Sequence, residues 1–139
     1  MAAPLDGIRI LSFCRALSGP YASMLLSDLG AEVIKIEEPE TGDFARFGSP
    51  FIDNVSSYFL SINRGKKSIT LDLKKEKARE IIFKLVQKVD IVMENFAQAL
   101  WIDWDSDTRK FAGIIPGLSM RPFPDSARTG PIPNVRPSI

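Results

Sequence analysis

The order of apolar and polar positions along residues 1–98 predicts β-strands that are separated by helices. Short runs that are apolar, or that alternate with a period of two, are typical of strands in a sheet. Four such runs occur, at residues 8–13, 31–37, 68–73 and 90–93. Polar residues, glycine or proline flank these runs, which fits short strands with defined ends.

Between these strands, apolar positions recur at helical spacing. The first helix opens at Gly19 and Pro20, because proline suits the first turn of a helix, and Gly30 is placed to end it. Residues 75–88 predict a strongly amphipathic helix with lysine and glutamate on its polar face. The apolar stripe of this helix consists of Ala78, Ile81, Ile82, Leu85 and Val89.

The second and third strands are joined by a longer connection. Residues 38–55 fit a polar loop that glycine and proline punctuate, and residues 56–62 fit a short helix. Strands that alternate with helices in this way predict an α/β fold with a mostly parallel sheet and helices on its faces. Right-handed crossovers would make this sheet Rossmann-like.

The pattern ends near Gln98. Residues 99–139 contain both tryptophans, six of the ten prolines and no clear periodicity. Proline at this density excludes a long helix or a central strand. We therefore expect two parts: a Rossmann-like segment at residues 1–98, and an irregular or disordered tail at residues 99–139.

Composition narrows the functional classes. The net charge of +1 provides no basic surface for nucleic acid or for an anionic membrane. The absence of histidine removes the commonest general base and zinc ligand, and we expect no metal site. Cys14 is the only cysteine and lies beside an apolar run, which favours a buried thiol in a reducing compartment. With no apolar run long enough for a membrane span and no secretory signal, we expect the cytoplasm.

Candidate chemistry lies where the predicted strands end. Open α/β sheets bind ligands at the carboxyl ends of their strands, where helix N-termini offer N–H groups to phosphate. The two standard nucleotide fingerprints, GxGxxG and GxxxxGK[ST], are absent. Lys66 and Lys67 could attract phosphates or form a solvated turn, whereas Asn95 and Phe96 suit the edge of a ligand site.

Several sequence blocks, taken together and in this order, resemble the start of class III CoA-transferases. These blocks are PLDGIRIL at 4–11, SGPYA at 18–22, LGAEVIKIE at 29–37, GD at 42–43, YFLSINR at 58–64, KKSI at 66–69, LDLK at 71–74 and ENF at 94–96. The alpha-methylacyl-CoA racemases share this architecture and much of the pattern. A racemase therefore remains an alternative to a transferase.

The resemblance implies the incomplete N-terminal half of the family's large domain, with CoA or acyl-CoA and a carboxylic acid as substrates and no covalently bound cofactor. Family members transfer CoA between carboxylic acids through an acyl-aspartate. They form interlocked homodimers, which we do not expect this chain to form alone. By resemblance to formyl-CoA transferase, the CoA-binding residues are Leu17, Ser18, Glu38, Leu71, Asp72, Leu73, Lys74, Asn95, Phe96 and Ala97.

Departures from the family pattern limit this expectation. Glu38 stands where formyl-CoA transferase has a cation, and Leu17 stands where it has a polar amide. The catalytic aspartate of the family lies downstream of this chain, so we assign no catalytic residue. Read with a shifted codon boundary, residues 100–107 and 124–139 permit family-like sequence, which suggests a frameshift near residues 97–99. A non-catalytic CoA-binding module and a non-functional frameshift product thus remain alternatives.

Overall fold

A computed structural model describes residues 2–95 of the chain. This part contains six strands, β1 (Arg9–Ser12), β2 (Glu32–Glu37), β3 (Phe51–Ile52), β4 (Val55–Ser56), β5 (Lys67–Thr70) and β6 (Ile91–Met93). It also contains the helices α1 (Ser18–Asp28), α2 (Ser57–Asn63) and α3 (Glu76–Val86) and a 3-10 helix at Phe44–Phe47. The tail predicted at residues 99–139 lies outside the described residues.

Four strands form a parallel sheet in the order β5-β2-β1-β6. This order is that of the first half of a Rossmann sheet, so the predicted fold class is confirmed. The chain reverses its direction of winding between β1 and β6, and such a reversal leaves a crevice at the carboxyl ends of the two strands. The four carboxyl ends lie along one side of the sheet, which we call the carboxyl edge.

The two faces of the sheet are covered differently. On the α3 face, Leu11, Phe13 and Ile36 of the sheet region pack against Ile82 and Val86 of α3 in a buried apolar cluster. On the α1 face, a smaller apolar cluster forms around Ile10, Ala31 and Val33. The α1 face also buries polar and charged side chains toward the carboxyl edge: Ser12, Ser23, Lys35 and Glu37.

Gly30 ends α1 as the sequence predicts. Its φ is +104°, in the left-handed region that favours glycine. The N–H of Gly30 donates to the carbonyl of Ser27, and the N–H of Ala31 donates to the carbonyl of Leu26. This pair of bonds is a Schellman motif, which satisfies carbonyls at the helix end and directs the chain into β2.

Several predicted boundaries and one predicted stripe need correction. The third strand of the sheet ends at Thr70 rather than at residue 73, and α3 begins at Glu76. The expected loop at residues 38–55 contains the 3-10 helix and the β3–β4 hairpin. In α3, Ile81 is 43% exposed, whereas Val86, which the stripe omitted, is buried. A side chain at position 86 lies one turn from Ile82, on the same face of the helix.

Candidate functional site

The carboxyl edge brings together three of the four segments that the resemblance marks for CoA, together with the first residue of the fourth. Glu38 follows β2, Leu17 and Ser18 follow β1, and Asn95 follows β6. The remaining strand, β5, is followed directly by Leu71, Asp72, Leu73 and Lys74. Phe96 and Ala97 lie outside the described residues.

The loop between β1 and α1 is held by side chains from elsewhere in the chain. Asn95 binds both backbone groups of Arg15: its Oδ1 accepts the N–H at 2.8 Å, and its Nδ2 donates to the carbonyl at 2.7 Å. The carbonyl of Cys14 accepts from Lys35 Nζ at 2.6 Å. Asp43 Oδ1 accepts the N–H of Ala16 at 3.2 Å. Backbone groups of three consecutive loop residues are thus fixed.

A buried ion pair lies beneath this loop. Lys35 Nζ and Asp43 Oδ2 are 2.8 Å apart, and their side chains are 2% and 1% exposed. Asp43 Oδ1 also accepts the N–H of Ala45 at 3.0 Å, which caps the 3-10 helix. The pair therefore connects β2, the β1–α1 loop and the 3-10 helix.

A second ion pair lies beside it, between Glu37 and Arg46. Arg46 forms a forked contact with the carboxylate, at 2.8 Å from Nε and 2.7 Å from Nη2. Burial raises the pKa of Glu37, but hydrogen bonds from Arg46, Ser68 and the N–H of Asp43 more than offset this and lower its pKa to about 2. Glu37 is therefore a structural carboxylate that stays charged at neutral pH.

Close packing fixes the N-terminus of α1 against the loop. A Cβ on Gly19 would lie 2.5 Å from both the Cβ and the Sγ of Cys14. Cys14 is buried, as expected, and desolvation raises the pKa of its thiol, so the thiol is a packing group rather than a nucleophile. Leu17 precedes the helix without a side-chain cap, and the first turn of α1 has no acidic residue.

The predicted residues differ in what they can offer to a ligand. Leu17, Ser18, Glu38 and Lys74 are exposed at the carboxyl edge. The carboxylate of Glu38 lies 3.6 Å from the guanidinium of Arg15, so a cation does stand at this position, although it comes from the neighbouring loop.

The segment after β5 presents its backbone and two polar side chains. Leu71 and Leu73 pack against the apolar cluster of the α3 face, and the N–H of Leu71 donates to the carbonyl of Glu37. Asp72 Oδ1 accepts the N–H of Lys74 at 3.1 Å, which shapes the turn into α3. Lys74 is thus the cation that this turn projects from the edge.

Lys66 and Lys67, the two cations considered for phosphate, are both engaged elsewhere. Lys66 Nζ donates to the carbonyls of Pro20 and Ile62 and to Asn63 Oδ1. Desolvation, with a smaller effect of the Lys35 charge, lowers the pKa of Lys66 to about 8. Lys67 pairs with Glu32.

The sequence predicted no individual role for the side chains of Lys35, Glu37 and Asp43, although all three lie in blocks that resemble the family. One signal was available: Lys35 and Glu37 share the strand face of Val33 within a sheet that is expected to be covered on both sides. Within residues 2–95, no group of three or more His, Cys, Asp or Glu side chains could hold a metal ion. The same residues contain no helix of the length and apolarity that a membrane span requires.

Known proteins with similar sequences were compared with this chain. A sequence model of CoA-transferase family III matches residues 5–120. Succinyl-CoA:glutarate CoA-transferase of Homo sapiens is 40% identical over 130 residues, which are 93% of this chain and 30% of that protein. Acetyl-CoA:oxalate CoA-transferase of Acetobacter aceti is 37% identical over 129 residues, which are 93% of this chain and 33% of that protein.

Solved structures agree with these matches. A CAIB/BAIF family protein from Brucella suis has a TM-score of 0.76 and 38% identity, over 85% of this chain and 32% of that chain. A hypothetical protein from Mycobacterium tuberculosis has a TM-score of 0.75 and 40% identity, over 84% of this chain and 32% of that chain. The chain therefore spans about a third of the length of its relatives. The family match continues past residue 98, and the division of the chain there stays a prediction.

Proposed function

The chain belongs to CoA-transferase family III, and from this premise we propose that the carboxyl edge of its sheet binds the CoA moiety of an acyl-CoA. One observation carries the proposal. The segments that the resemblance assigns to CoA follow four different strands, and the parallel sheet gathers the four strand ends along one side. Leu17, Ser18 and Asn95 flank the crevice between β1 and β6, where sheets of this topology bind nucleotides.

The chemistry of this edge suits a phosphorylated ligand. The first turn of α1, which follows β1 at this edge, carries no acidic residue and no side-chain cap, so no local negative charge opposes the positive end of the helix dipole. Lys74 adds an exposed cation at the end of β5. Glu38 adds a negative charge, which its contact with Arg15 partly offsets.

Transfer of CoA between carboxylic acids is the reaction that we propose for a protein of the relatives' full length. Its acyl donor, its acid acceptor and the interlocked homodimer belong to the same proposal. Because the resemblance places the catalytic aspartate downstream of this chain, the role proposed for residues 2–95 is CoA binding rather than group transfer. The racemase alternative shares this CoA-binding role and differs only in the later chemistry.

Calorimetric titration of the 139-residue chain with CoA tests the proposal. The wild-type chain should bind, and Lys74→Ala should weaken binding about three- to tenfold, the usual value of one exposed charge on a phosphate. Lys88→Ala is the matched control, because Lys88 is an exposed lysine that follows α3 at the opposite side of the sheet. Its affinity should stay within about twofold of wild type.

Two results would contradict the proposal. Absence of CoA binding by a chain that unfolds cooperatively would remove the site and favour a folded segment without this function. Equal losses in Lys74→Ala and Lys88→Ala would indicate a general charge effect rather than a site at the carboxyl edge. An aggregated chain without a cooperative transition would favour the non-functional frameshift product.

A further inference from the structure

We propose that Lys35 and Asp43 are positioning residues for CoA binding, because they fix the backbone of the β1–α1 loop that leads into Leu17 and Ser18. This inference rests on the proposed function for its ligand. It concerns two side chains that do not themselves reach the carboxyl edge, since both are almost completely buried.

The contacts of the pair are directed at the loop. Lys35 Nζ binds the carbonyl of Cys14 at 2.6 Å, and Asp43 Oδ1 binds the N–H of Ala16 at 3.2 Å. The ion pair itself, at 2.8 Å, locks these two contacts together. One charged unit therefore holds the loop on both sides of Arg15, whose own backbone is held by Asn95.

The conformation of the loop needs such support. Ala16 has a φ of +67°, in the left-handed region that is strained for a residue with a side chain. Strained residues persist where the surrounding structure over-determines them, and they cluster at ligand sites. Leu17, the next residue, is the N-cap of α1, so the angle at Ala16 sets the direction from which the helix N-terminus meets the crevice.

General stability does not account for this pair. Buried ion pairs are weak contributors to stability, because the desolvation of two charges offsets their attraction, and apolar replacements of both partners are often neutral. An apolar pair in this place would fill the same volume. It would provide neither a donor for the carbonyl of Cys14 nor an acceptor for the N–H of Ala16.

The test separates packing from positioning. The double variant Lys35→Met/Asp43→Leu replaces both charges with apolar groups, and Ile82→Val is the control, a core change on the α3 face. In the full chain, we expect amide hydrogen exchange at Ala16, whose N–H donates to Asp43, to accelerate at least about tenfold in the double variant, with β1 and α3 unchanged. CoA affinity should fall at least about tenfold, because a smaller fraction of the molecules has the β1–α1 loop in the conformation that binds CoA. Ile82→Val should change neither quantity.

A gentler variant covers the case in which the double variant does not fold. Lys35→Met/Asp43→Asn also leaves no unpaired buried charge, and it keeps an oxygen that can accept the N–H of Ala16, so its exchange and affinity should lie between those of wild type and the first double variant. Unchanged exchange at Ala16 in the variants, or faster exchange with unchanged CoA affinity, would overturn the positioning role. Absence of CoA binding by the wild-type chain would instead overturn the proposed function, and the exchange data would still decide whether the pair holds the loop.

Discussion

The two faces of the sheet are built from different chemistry. The buried side chains of the face under α3 are apolar, and Leu11, Ile36 and Ile82 typify them. The face under α1 is apolar only toward the amino ends of the strands, around Ile10 and Val33. Toward the carboxyl ends, it buries the Lys35–Asp43 ion pair, the serines Ser12 and Ser23, and the carboxylate of Glu37, whose partner Arg46 is partly exposed.

This difference separates two tasks. Apolar contacts are non-directional, so the α3 face can hold the sheet together without fixing any loop. Hydrogen bonds and ion pairs are directional, and those of the α1 face reach the β1–α1 loop and the 3-10 helix beside the carboxyl edge. Stability therefore comes mainly from one face, and the geometry of the candidate site from the other.

The largest expected effect comes from breaking the buried ion pair. Lys35→Met leaves the carboxylate of Asp43 buried without its cation, which typically costs about 3–5 kcal/mol. Urea denaturation at neutral pH measures this change. Lys67→Met is the matched control, since Lys67 forms an exposed ion pair with Glu32 on the same sheet, and its loss should cost less than about 1 kcal/mol. Equal costs for the two variants would contradict the account of the α1 face.

A core truncation on the other face should be destabilising without affecting the site. Ile82→Ala removes a fully buried side chain from the α3 face and should cost about 2–5 kcal/mol in urea denaturation. Ile81→Ala, at the partly exposed neighbouring position, should cost about 1 kcal/mol or less. CoA affinity per folded molecule should stay at the wild-type value in both variants. A loss of affinity in Ile82→Ala would show that the two faces do not divide the tasks.

Acid should weaken the α1 face selectively. The folded-state pKa of Glu37 is about 2, below its ordinary value of 4.5. The contribution of ionised Glu37 to the free energy of unfolding is therefore complete above pH 4.5 and is lost as pH falls toward 2. This contribution amounts to at most about 3 kcal/mol. Unfolding free energies measured between pH 6 and pH 2.5 should converge for wild type and Glu37→Gln as pH falls. The cost of Ile82→Ala should be the same at each pH, and a constant gap between wild type and Glu37→Gln would contradict the pKa of Glu37.

The same division explains what could be read from the sequence. The four strands of the parallel sheet and the three helices follow from periodicity and from punctuation such as Gly30, because these signals are local, whereas the β3–β4 hairpin and the 3-10 helix were expected to be a loop. The fork between Glu37 and Arg46 and the pair between Lys35 and Asp43 depend on a loop folding back over β2, which no local pattern indicates. Ile81 was misjudged because the stripe was drawn from apolar identity alone, without the position of the sheet.

The relatives that match this chain are named for different acids. Relatives named for glutarate, oxalate and mesaconate are 40%, 37% and 40% identical to it. Proteins that act on different acids thus match it equally well. This pattern fits a region that binds the part of the substrate common to all of them, as the proposal of a CoA site requires.

The central claim, a CoA site on the carboxyl edge, is tested most directly by mapping amide chemical shifts of the labelled chain during titration with CoA. The account predicts saturable shifts at Arg15–Gly19, Glu38, 71–74 and Asn95, which follow four different strands. Amides near Lys88 and at the amino ends of the strands should not move. Shifts confined to the amides near Lys88 and at the amino ends of the strands would contradict the proposed CoA site. The absence of any shift in a folded chain at millimolar CoA would contradict it as well.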